Sequence, residues 1–147
     1  MIFISVTRLR VKSILYLLRF VIANEASVKQ LNKTEGFLGG RELIDKKLTF
    51  WTLTMWDNEV SMKQFRNSLP HRKAMQKLPF WCNEASYLHW IQAENELPGW
   101  KSIHDKMLKN GISTKVRNPS EIQLSKKYPE IKWTKLERKF KPVDKRN

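Results

Sequence analysis

The nine residues from Leu48 to Trp56 constrain this chain most. Every one is β-branched, aromatic or aliphatic, the composition that favours a strand. At a period of two, Leu48, Phe50, Thr52, Thr54 and Trp56 share one face, and Thr49, Trp51, Leu53 and Met55 share the other. Both faces carry large apolar groups. A strand of this kind is expected to be covered on both sides, unlike a strand with one wet face.

The neighbouring segments give it partners. Ile2 to Leu9 alternates as a first strand, with Ile2, Ile4 and Val6 on one face. Ser13 is a plausible N-cap for a long helix, with Ile14, Leu17, Leu18, Val21, Val28 and Leu31 at helical spacing. Lys33 to Gly36 ends it, and Phe37 to Ile44 reads as a second strand, joined through the turn Asp45-Lys46-Lys47 to the strand at Leu48. Gly39-Gly40 lacks a phosphate-loop pattern and marks a bulge or a close approach within that strand. Beyond Trp56, Asp57 or Asn58 caps a helix carrying Met62, Phe65 and Leu69, which Pro70 is expected to close, leaving His71 just past its end. Arg72 to Leu78 predicts a short helix stopped by Pro79, and Ala85 to Ile91 a fourth strand with Tyr87, His89 and Ile91 on one face.

The order strand, helix, strand, strand, helix, strand predicts an α+β ferredoxin-like βαββαβ fold, an antiparallel sheet with its helices on one face. The opposite face then needs its own cover, and a second copy of the chain is the expected source, making a homodimer. Residues 1–97 form this domain. Residues 98–147 are expected to add a C-terminal helix, Trp100 to Asn110 with Gly111 as its C-cap, and a basic tail holding a short helix between Pro119 and Lys127.

Charge is unevenly spread. Of the net +14, residues 1–100 contribute +5 and residues 101–147 contribute +9. The tail sets Lys126-Lys127, Lys132, Lys135, Arg138-Lys139, Lys141 and Lys145-Arg146 among Tyr128, Trp133 and Phe140. Basic residues with aromatics can bind a nucleic-acid backbone and stack bases, so a nucleic-acid or acidic partner is one reading of the tail. A solvated, solubilising end is the plainer one, and no zinc-finger, helix-turn-helix or RNA-recognition signature is present. One cysteine, Cys82, excludes an internal disulfide, and a reducing, cytoplasmic location is expected. The apolar stretch from Ile14 to Ala23 is too short to span a bilayer and is interrupted by Arg19, so no transmembrane segment is expected and the stretch reads as a core helix, with a peripheral contact or a partner subunit left as alternatives.

Taken as a series, Phe50 to Trp56, Met62, Phe65, His71-Arg72-Lys73-Ala74-Met75, Trp81 and Ala85 to Trp90, with Phe37 to Arg41, resemble an uncharacterised family related to spheroidene monooxygenase. That family is similar to the antibiotic biosynthesis monooxygenases of the dimeric α/β-barrel superfamily. The resemblance covers about residues 1–95. It implies a dimeric α/β barrel with an apolar pocket between sheet and helices, and a monooxygenase-like activity on haem or another hydrophobic small molecule. His71 matches the position of the relatives' histidine after the central helix.

On that footing His71 is the candidate catalytic residue and the candidate metal (haem iron) ligand. Trp51, Trp56, Tyr87 and Trp90 could wall the pocket, and Arg41 and Arg72 could meet propionates. Plainer roles stand beside these: Trp51 and Trp90 as core, His71 holding a turn, Arg72 in water, His89 as a satisfied core or interface histidine. A non-catalytic binding or structural dimer also stays open. The three histidines and one cysteine have no zinc-site spacing, and no nucleophile elbow occurs.

Overall fold

In a computed structural model, residues 1–143 are described; Lys145-Arg146 of the basic tail lie outside them. The elements run β1 (Ile2–Val11), α1 (Ile14–Lys33), β2 (Phe37–Asp45), β3 (Thr49–Trp56), α2 (Glu59–Arg66), α3 (Leu69–Trp81), β4 (Cys82–Gln92), α4 (Trp100–Asn110), β5 (Ile112–Ser113), α5 (Glu121–Ser125) and β6 (Glu137–Phe140). The sheet order is β5-β4-β1-β3-β2-β6, with every neighbouring pair antiparallel. This is the ferredoxin-like α+β sheet, extended at each edge by a strand from beyond Pro98.

β3 lies at the centre and is covered on both sides. Phe50 and Trp56 are buried on one face, Trp51, Leu53 and Met55 on the other. Helices α1 to α3 cover the first, where Phe20, Leu78 and Phe50 form one cluster and Leu31, Met62 and Trp56 another. The second face is hidden by the chain itself. Ile103 and Met107 of α4, with Tyr128, pack on Ile4, Val6, Leu43, Trp51, Leu53, Met55 and Leu88. The cover expected from a second copy is therefore intramolecular, because the C-terminal residues carry apolar groups at the right spacing along a segment long enough to cross the sheet.

Polar anchors fix this segment. The Gln123 side chain accepts from the Ala85 amide (2.9 Å) and donates to the Thr114 carbonyl (2.9 Å), standing in for a strand partner along β4. The Asp45 carboxylate accepts the amides of Lys132 and Trp133, the latter at 2.8 Å. Tyr128 and Phe140, expected as aromatics of a solvated tail, are buried.

Three boundaries differ from expectation. Leu48 is in the three-residue β2–β3 turn, Lys46 to Leu48, where Lys47 (φ 59°) and Leu48 (φ 56°) are both left-handed. Pro70 opens a helix instead of closing one: α2 ends at Arg66 and α3 begins at Leu69, with Pro70 in its first turn, where a missing N–H costs nothing. Pro79 lies in the last turn of α3 and β4 follows at Cys82. Gly39 and Gly40 act as read: the β2–β3 register shifts between Phe37 and Gly39, and a Cβ on Gly40 would meet the Leu53 carbonyl oxygen.

Candidate functional site

A cavity of about 350 Å³ lies between the helix-bearing face of the sheet and the helices. Its origin is legible in side-chain size. Ser5 and Thr7 of β1 stand opposite Thr54 and Thr52 of β3, so the centre of the sheet has small side chains where its ends have Phe3, Phe50 and Trp56. Helices resting on the bulky ends leave a gap over the small middle. Phe20, Ala23 and Ser27 of α1 and Ala74 and Leu78 of α3 close it from above.

Two histidines border this space. His71, in the first turn of α3, has Nδ1 3.1 Å from the Arg66 carbonyl oxygen and its ring 4.8 Å from that of Phe65. A carbonyl can only accept, so Nδ1 carries the proton and Nε2 is left as the acceptor. Burial pushes the His71 pKa below the ordinary histidine value, outweighing the Arg66 carbonyl, which favours the charged form. His89, on β4, packs between Phe3 and Tyr87, each ring 5.2 Å away. Burial and then the Arg66 charge lower its pKa as well. Both shifts favour the neutral imidazole.

The sequence-predicted residues divide between the two sides of the sheet. His71 and Tyr87 line the cavity. Trp56 sits one layer behind it, stacked on Phe65 at 5.7 Å, with Nε1 donating to Thr54 Oγ1 at 2.9 Å. Trp51 and Trp90 do not wall this cavity. Both point to the opposite face, packed in or against the cluster beneath α4, as the period of two places Trp51 with Leu53 and Trp90 with Leu88. Arg41 is also on that side, donating to the Pro98 carbonyl at 2.7 Å and facing Glu137 at 3.5 Å. Arg72 is exposed on α3 and outside the lining. His89, expected as a satisfied core or interface histidine, borders the cavity instead. Arg66 and the Ser5–Thr7–Thr52–Thr54 floor have no place in the sequence reading of the site; small polar residues alternating within bulky strands are the signal for the floor.

The lining tests haem directly. His71 could present an imidazole nitrogen, but two propionates need cations, and Arg66 is the only Arg or Lys of the lining among the described residues. These residues do not fit haem. Nor do three His, Cys, Asp or Glu side chains gather into a metal-binding group among the described residues. Burial pushes the Cys82 thiol up to about 12, so it is inert at neutral pH.

With the geometry in view, comparison with solved structures is informative. A "putative antibiotic biosynthesis monooxygenase" from Nitrosomonas europaea matches with a TM-score of 0.57 and 10% identity, over 65% of this chain and 94% of that one. SnoaB, a cofactor-independent oxygenase from Streptomyces nogalater, matches with a TM-score of 0.53 and 14% identity, over 67% and 98%. Rv0793 from Mycobacterium tuberculosis matches with a TM-score of 0.58 and 5% identity, over 66% and 100%. The fold is that of the antibiotic biosynthesis monooxygenases. At these identities the likeness concerns the fold alone. No protein-family model matches the sequence, and no curated protein does. The remainder of this chain has no counterpart in those structures, which this chain covers almost completely.

Proposed function

We propose that the cavity binds an apolar, ring-bearing or polyene small molecule, and that the chain acts on it as a cofactor-independent, monooxygenase-like enzyme. The observation that carries this reading is the 350 Å³ space with a neutral imidazole at its border, on a monooxygenase fold. The resemblance to the family related to spheroidene monooxygenase supports the same ligand class.

His71 serves as the base. Its Nε2 takes a proton from an acidic C–H or phenolic O–H of the substrate, and Arg66 at the rim favours the resulting anion. That anion reduces O₂. For an activated methylene the balance is one O₂ consumed, one oxygen atom retained as a carbonyl and the other released as water. Tyr87 and His89 position the ring system.

The unit of function is the single chain. Pairing of two sheets into a shared barrel has no free face to use, since α4 and Tyr128 occupy it. A cytoplasmic location accords with a single, unpaired cysteine. A tail-mediated nucleic-acid reading keeps only Trp133 of its three aromatics at the surface, because Tyr128 and Phe140 are buried, and Arg138 is paired with Glu25 and Glu42.

The test uses a fluorescent polycyclic probe and oxygen uptake with a tricyclic phenol bearing an activated methylene. Parent protein should bind the probe, Ala74→Phe should lose about tenfold in affinity by filling the cavity, and His71→Ala should keep binding but lose uptake. Probe binding with no uptake in any variant would leave a non-catalytic binder; equal binding by Ala74→Phe would remove the site.

A further inference from the structure

The first half of α1 turns an unusual surface to solvent. Ile14, Leu15, Leu18 and Ile22 are 76%, 81%, 70% and 62% exposed. Their spacing puts them on one stripe, opposite the side where Phe20, Ala23 and Ser27 meet the cavity. α3 packs beside α1 and adds exposed Leu69 and Phe80. A monomeric protein rarely leaves large aliphatic groups contiguous in water without a partner.

Charge selects that partner. α3 carries Arg72, Lys73 and Lys77, all exposed, and no acidic residue. α1 carries Arg19 and Lys29, also exposed, with Lys12 just before it. Its one acid, Glu25, is held by Arg138 at 2.7 Å. A second copy would bring two basic rims together, each on a chain of net charge +14. An anionic bilayer complements both features, apolar groups entering the acyl boundary and cations meeting phosphates. No helix among the described residues is long and apolar enough to cross a membrane, so such contact is confined to the surface.

We propose that α1 and α3 form a docking face for an anionic lipid bilayer, with Leu15 and Leu18 as its central apolar contacts. The same two helices roof the cavity. On the reading that the cavity binds an apolar molecule, and resting on it, that molecule is one dissolved in the membrane.

Co-sedimentation with phosphatidylcholine vesicles, with and without phosphatidylglycerol, tests the docking. Parent protein should bind the phosphatidylglycerol vesicles at least about tenfold more tightly than phosphatidylcholine alone, and Leu15→Glu/Leu18→Glu should lose about tenfold on them. The exposure of both leucines predicts an unchanged urea midpoint, and Ile14→Gln/Ile22→Gln provides a second, uncharged pair. Three results would overturn the proposal: no binding by the parent, equal binding by both variants (the tail cations then suffice), or a parent dimer that the variants dissociate. Ala74→Phe separates the two readings, because it should lose the cavity probe and keep vesicle binding.

Discussion

Arg8 of β1 and Glu84 of β4 form an ion pair of 2.7 Å at the junction between the sheet and its C-terminal cover, with their side chains 4% and 0% exposed. The guanidinium lies 5.7 Å from the Trp51 ring and 5.0 Å from that of Tyr128. Ser120 donates to the same carboxylate at 2.8 Å and Arg10 approaches at 3.4 Å. The pair thus ties the central strands to a residue of the distant tail.

Breaking it from one side leaves a buried charge without a partner. Arg8→Met or Glu84→Gln should each cost about 3–5 kcal/mol in urea unfolding, and the double variant much less than the sum. Burial raises the Glu84 pKa, but Arg8, Ser120 and Arg10 outweigh it and hold it low. A depressed carboxyl stabilises the fold above its unfolded value, about 4.3, and that stability is lost as pH falls through the folded value. Parent protein should lose stability in acid below about pH 4.3, and Glu84→Gln should show a shallower fall there.

The histidines act in a higher window. His71 and His89 both have lowered pKa values, so between the unfolded value of about 6.5 and their folded values the unfolded chain binds more protons. Stability should therefore fall as pH drops below about 6.5, and His71→Gln and His89→Gln should each flatten that slope. Imidazole NMR titration provides the direct check, with both midpoints expected below that of free histidine.

The β2–β3 hairpin offers two changes of opposite sign. Lys47 is left-handed, a conformation that costs an ordinary side chain about 1–2 kcal/mol and asparagine less. Lys47→Asn should stabilise by about 0.5–1 kcal/mol. Gly40→Ala should destabilise by about 1–3 kcal/mol, since its Cβ would meet the Leu53 carbonyl at the centre of the sheet. Denaturant midpoints at fixed slope distinguish the two.

Intramolecular cover predicts the oligomeric state. The full chain should run as a 17.5 kDa monomer in light scattering away from lipid. Ile103→Ala should cost about 2–5 kcal/mol, because that side chain is fully buried against the second face. A stable dimer of the parent would contradict the closed face.

Short-range pattern was enough to identify each strand of the four-stranded core and the capping of α1 by Ser13, since alternation and helical spacing are local properties of the chain. It failed where local rules are degenerate. Pro70 can end one helix or begin the next, and the residues on either side of it fit both readings. The same limit governed the site. Alternation separated the residues of each strand into two faces, yet gave no means of deciding which face the helices would take, so Trp51 and Trp90 were assigned to a cavity that lies behind them.

What the sequence by itself determined is that β3 must be dry on both sides and that the sheet is antiparallel and ferredoxin-like. Burial of apolar area and strand periodicity require no knowledge of distant partners. Only the tertiary structure decided what dries the second side. Ile103, Met107 and Tyr128 reach it from more than forty residues beyond β3, and contacts at that separation depend on the path of the intervening chain. The cavity was decided in the same way: Ser5 and Thr54 are small in any context, but they border a space only because helices from elsewhere rest on Phe3 and Trp56 beside them.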